Sequence, residues 1–181
     1  MIPSPEEAAK ALRDIDFVTQ RAAGFQDYRA ESSQLILWGL AYLTAFSLIA
    51  CFPAWLIEIW SAVVLVALGV GVCLAQRSAP GTGIMPRYLA LVFIFLLFIA
   101  ILHLLFWPVS AEQGAMLGPL LLSLIYILRG VQLRPRYTVI GVALGGLCLT
   151  GYLLLLPVFW SWMAIACGGT LILSGFWLRS H

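Results

Sequence analysis

Pro86-Arg87-Tyr88 opens an apolar run that closes at Trp107-Pro108-Val109, and this stretch decides the fold. The same frame returns at Pro135-Arg136-Tyr137 and Leu156-Pro157-Val158, offset by 49 residues at both ends. In each frame the two prolines stand 22 residues apart. At about 1.5 Å of rise per residue this is roughly 33 Å of helix, close to the hydrocarbon thickness of a bilayer. Proline suits the first turn of a helix, where its missing N–H is not needed, and it also ends one. Each frame therefore reads as one membrane-spanning helix.

Composition extends the reading to the whole chain. Of 181 residues, 62% are hydrophobic and 10% charged, and the mean hydropathy of +1.01 lies outside the range of soluble domains. The net charge of +2, with no basic stripe, excludes nucleic acid as a partner. Six apolar spans are expected near 35–53, 56–76, 88–107, 113–129, 137–156 and 158–178. The fold class is all-α: a polytopic bundle in a lipid bilayer, covering 35–179. The spans are expected to run unbroken, with no proline inside one.

Charge sets the orientation. All ten lysines and arginines fall in the N-terminal arm, the second and fourth links, or the C-terminal tail. With six spans these segments share one side, and the positive-inside rule makes that side cytoplasmic. Both termini are then cytoplasmic, in a cell inner (plasma) membrane. Trp55, Trp60, Trp107, Trp160 and Trp162 gather at the opposite end, as an interfacial belt. The equal offsets predict three repeated hairpins, about 33–77, 86–129 and 135–179, with turn prolines Pro53, Pro108 and Pro157.

Residues 1–34 form a separate cytoplasmic arm. Ser4-Pro5-Glu6-Glu7 carries a helix start, and Leu12 and Ile15 fall on one face of an amphipathic helix over about 5–23. It is too acidic to bind anionic lipid strongly, so it reads as a helix packed on its own bundle or as a docking element for a cytoplasmic protein.

Small residues suggest how the spans meet. Gly114-x3-Gly118 and Gly141-x3-Gly145 are small-xxx-small patterns, and Gly168-Gly169 lies mid-span in the last helix. In lipid, close backbone approach is a main source of helix association, within one chain or in a homo-oligomer. Cys148 and Cys167 stand nine and ten residues either side of Pro157, at similar depth on adjacent spans.

Measured from the turn prolines, Glu58, His103, Glu112, Tyr152 and Ser161 form one polar layer near the outer face. Ionisable groups in spans are costly and often functional. The sharp reading is a proton-sensitive site, with Glu58 or Glu112 within hydrogen-bond reach of His103 or Tyr152 and responsive between about pH 5 and 8. The plain reading is charge tolerated at headgroup level. No catalytic motif and no metal-ligand spacing is present, so neither an enzyme nor a cofactor or metal is expected.

Three two-helix repeats, each with an outer turn proline and a glycine-bearing return helix, resemble the HdeD-like acid-resistance membrane proteins of bacteria. The segment closest to that pattern is Gly151-Tyr152-Leu153-Leu154-Leu155-Leu156-Pro157, followed by Gly168 and Gly175. The resemblance implies a non-enzymatic inner-membrane protein linked to envelope or acid stress. The alternative is an oligomeric channel or proton-linked transporter using the outer polar layer.

Overall fold

The computed structural model describes residues 28–78, 84–132 and 135–180. The arm helix expected over 5–23 lies outside the described residues. Among them every regular element is helical. The helices are α1 (Tyr28–Cys51), α2 (Leu56–Ser78), α3 (Ile84–Leu105), α4 (Ala111–Gln132), α5 (Pro135–Leu154), α6 (Phe159–Met163) and α7 (Thr170–Arg179). A π-helical turn, Ala164–Gly169, joins α6 to α7, and the three pieces make the sixth span. All six expected spans are present as helices long and apolar enough to cross a membrane.

Two boundaries differ from the expectation. Helix α1 begins at Tyr28, so Glu31–Gln34 belong to the first span's helix rather than to the arm. Pro119 lies inside α4, against the expectation of unbroken spans. Proline removes one backbone donor, and within a membrane neighbouring helices make that tolerable. Pro119 is fully buried among them.

The tight contacts run between α4 and α5, and between α1 and the sixth span. Both seams rest on glycine. A Cβ at Gly141 would lie 2.6 Å from the Ser123 carbonyl, and one at Gly130 would lie 2.1 Å from the Thr138 nitrogen. On the other seam, a Cβ at Gly168 would lie 2.9 Å from the Gly39 carbonyl, and one at Gly175 would lie 3.0 Å from the Ser32 carbonyl. Backbone meets backbone at these points, so no side chain could be accommodated by a rotamer change. By contrast α3 and α4, the two helices of the expected middle hairpin, meet sparingly.

On α1, Ser32, Leu35, Gly39, Tyr42, Phe46 and Ile49 form a buried seam of alternating three and four spacings, with Ala41 and Ala45 buried beside it. Helices with that spacing cross at a shallow left-handed angle, as in most membrane bundles. Phe46 and Phe159 are the largest fully buried side chains, and Phe46 packs edge-on to Trp60 at 5.2 Å and near Trp160 at 6.2 Å. The tryptophans at this end therefore divide. Trp55 and Trp107 stay exposed, whereas Trp60, Trp160 and Trp162 pack on the core.

The turns divide too. Pro53–Trp55 and Leu156–Val158 are matching 3-10 turns, each with its proline in the first two positions. The Pro108 connection has no helical turn.

Candidate functional site

Four consecutive residues on the first turns of α1 touch every other span. Side chains on a helix step by about 100° per residue, so four in a row cover most of the circumference. The Glu31 carboxylate accepts from the Arg129 guanidinium on α4 and from the Tyr137 hydroxyl on α5. The Ser32 hydroxyl donates to the Gly175 carbonyl on α7 at 2.6 Å. The Ser33 hydroxyl accepts from Arg179, also on α7, at 2.9 Å. The Gln34 amide donates to the Gly71 carbonyl on α2 at 3.0 Å, while its oxygen accepts from the Tyr88 hydroxyl on α3 at 3.2 Å.

Aromatic rings reinforce this hub. The Arg129 guanidinium lies 5.3 Å over the Tyr137 ring, which stacks on Tyr126 at 6.1 Å and 15°. Arg136 covers Trp177 at 5.5 Å. Tyr88 presses onto α2 where Gly71 leaves room, since a Cβ there would be 2.3 Å from the hydroxyl. Sequence reasoning missed the hub because Glu31–Gln34 read as the end of a solvated arm. The available signal was a polar run directly ahead of an apolar span, matched by arginines at the same end of the fourth and sixth spans.

The outer polar layer is arranged differently from the expectation. Glu58 is exposed in the first turn of α2, and Glu112 stands in the first turn of α4; both suit the positive end of a helix dipole. Neither makes a hydrogen bond or ion pair among the described residues, so the expected contact with His103 or Tyr152 is not formed. Ser161 is exposed, and its carbonyl accepts from the Ala164 N–H.

His103 lies at 2.9 Å from the Ile99 carbonyl through Nδ1, which must donate because a carbonyl only accepts. Its Nε2 faces Gly114, where a Cβ would be 2.7 Å away. The Tyr152 hydroxyl accepts from Gln113 at 3.0 Å. Gln113 has this role because it closes a capping box with Ser110. The Ser110 N–H donates to the Gln113 side chain, the Gln113 N–H donates to the Ser110 hydroxyl, and both distances are 3.2 Å. The spacing Ser110-x-x-Gln113 was visible in the sequence, and it places Gln113 rather than Glu112 against α5.

The expected packing glycines are placed unequally. Gly114, Gly118, Gly141, Gly145 and Gly168 all meet a neighbouring helix, whereas Gly169 has nothing within 4 Å. Among the described residues, no group of three or more histidine, cysteine or acidic side chains could hold a metal. The polar clusters thus bind helices to one another.

Six apolar helices with polar links at their ends define a multi-pass membrane protein. The chain matches no protein-family model, no curated protein and no solved structure.

Proposed function

We propose that the chain is a non-enzymatic protein of the bacterial inner membrane, with both termini cytoplasmic, that acts by associating with itself or with a partner. The supporting observation is unequal burial. Within Tyr88–Leu105 no residue is buried, while the windows on α1 and on the sixth span are each 39% buried. On α2, Val66, Gly69, Val70 and Cys73 line a shallow outward groove, and Gly69 has nothing within 4 Å. Glycine in a helix costs about 1 kcal/mol against alanine, so an unpacked one invites a contact beyond the chain. The arm over 5–23 would offer a cytoplasmic partner its apolar face. The repeat of hairpins belongs to this reading through the equal 49-residue offsets, and the link to envelope or acid stress through the resemblance to HdeD-like proteins.

The native thiol of Cys73 tests self-association, because it lies on that groove. In a Cys51→Ser background, oxidation of intact membranes should give a covalent dimer through Cys73. A protein that gives no dimer and is monomeric by native mass spectrometry from nanodiscs does not self-associate.

A second reading, an oligomeric channel or proton-linked transporter, is favoured by irregular backbone bonding within two spans. Transporter sites are built where helices lose regular bonding near the midplane. Pro119 removes one donor from α4, which stays continuous, and the sixth span carries a π-helical turn. Proteoliposomes that acidify with the protein and not without it would establish this reading over the first.

A further inference from the structure

Two thiols meet in the dry centre of the bundle. Cys148 on α5 and Cys167 in the π-helical turn are fully buried, and their sulfurs stand 3.5 Å apart. The cysteines on α1 and α2, Cys51 and Cys73, are exposed and face away. The buried pair lies across a helix–helix seam, so its proximity is a property of the assembled bundle.

The seam is pinned close by. The Trp162 indole donates to the Leu147 carbonyl at 2.9 Å, beside Cys148. Its ring packs on Gly151, where a Cβ would be 2.5 Å from Trp162. This clamp fixes the register of the fifth and sixth spans within one turn of the thiols. On the other side of the pair lies the π-helical turn itself, closed by a Thr170 N–H that is shared between the carbonyls of Ala166 and Cys167. Such turns are rare and recur at functional sites.

We propose that Cys148 and Cys167 are a reversible dithiol–disulfide couple that staples the fifth span to the sixth. A disulfide needs the sulfurs at about 2.05 Å, so closure requires a movement of about 1.5 Å. The movement falls to the π-helical turn, because the tryptophan clamp holds Leu147 beside Cys148.

In the reaction two S–H bonds break and one S–S bond forms. Two electrons and two protons pass to a quinone dissolved in the bilayer, which leaves as the hydroquinone. A lipid-soluble acceptor fits the site because the sulfurs are closed to water. Exposed Ile165 puts the π-helical turn at the lipid boundary, on the face of the sixth span away from Cys167, so the acceptor reaches the thiols when that turn moves. The staple would hold the sixth span, and through the Gly39–Gly168 seam the first span with it.

The test uses the full chain in nanodiscs and a fully substituted benzoquinone, whose ring has no position open to thiol addition. After treatment, the protein is denatured, alkylated with a maleimide and mapped by mass spectrometry. A linked Cys148–Cys167 peptide, lost on reduction with dithiothreitol, is the expected product. It should form equally in a Cys51→Ser/Cys73→Ser variant, and Cys148→Ala should leave Cys167 alkylated. The stapled protein should also melt at a higher temperature than the reduced one. Full alkylation of both thiols in the quinone-treated wild type overturns the proposal. So does a disulfide found only between chains.

Discussion

The hydroxyl of Ser32 donates to the carbonyl of Gly175, 143 residues further along the chain. That bond lies where first and sixth spans touch backbone to backbone, with no room for a larger residue on either side. It is one strand of the hub that Glu31, Ser32, Ser33 and Gln34 make with all five other spans.

Topology follows from the segregation of basic residues. A cysteine probe at Ala54 or Ser110 should label from outside the cell, and one at Thr82 should not. Outside labelling at Thr82 would reverse the orientation.

Arg129 and Glu31 form the charged part of the hub. Arg129→Leu leaves the Glu31 carboxylate without its cation, with Tyr137 as the remaining donor. The Arg129 side chain is 34% exposed, so the loss is discounted to about 1–2 kcal/mol. Reversible unfolding in micelles measures it. An Arg129→Leu protein as stable as the wild type would show the pair to be idle.

Glycines in the seams and glycines in the open should behave oppositely. Gly141→Leu would drive a side chain into the Ser123 carbonyl, and overpacking of this kind costs about 1–3 kcal/mol or more. Gly146→Ala meets nothing within 4 Å and should be neutral or stabilising by up to about 1 kcal/mol. If the two variants unfolded alike, the close approach of α4 and α5 would be wrong.

At the Pro108 end, Gln113→Leu removes the side-chain half of the capping box and the bond to Tyr152, while the Ser110 cap on the backbone stays. A loss of about 1–2 kcal/mol is expected. Glu112→Gln, one residue away, should shift stability by under about 0.5 kcal/mol, through the helix dipole alone. A larger effect from Glu112 than from Gln113 would restore the carboxylate to the centre of the layer.

Six spans were legible because apolar length needs no tertiary knowledge. The packing was not. In a soluble helix the buried face is the apolar one, but here both faces of each span are apolar. The inward side of α1 is marked instead by Ser32, Gly39 and Tyr42. Gly69 and Gly169 carry the same signal as Gly39 and Gly168 yet meet nothing, so glycine alone does not tell a seam from an open face. Counting from the turn prolines orders residues by their place along the spans. It could not separate Glu112 from Gln113, because neighbouring residues differ in azimuth rather than depth. Equal depth on adjacent spans permitted the Cys148–Cys167 approach, but the facing of the two sulfurs is again a matter of azimuth.

The hub also imposes an order of events during synthesis. Glu31–Gln34 leave the ribosome before any of these partners, and Gly175 and Arg179 follow 143 and 146 residues after Ser32 and Ser33. A nascent first span therefore enters the bilayer before the distant partners of Glu31, Ser32 and Gln34 exist. Docking of the sixth span closes the bundle, so a chain cut short after α5 would leave the Ser32 hydroxyl without its bond to Gly175.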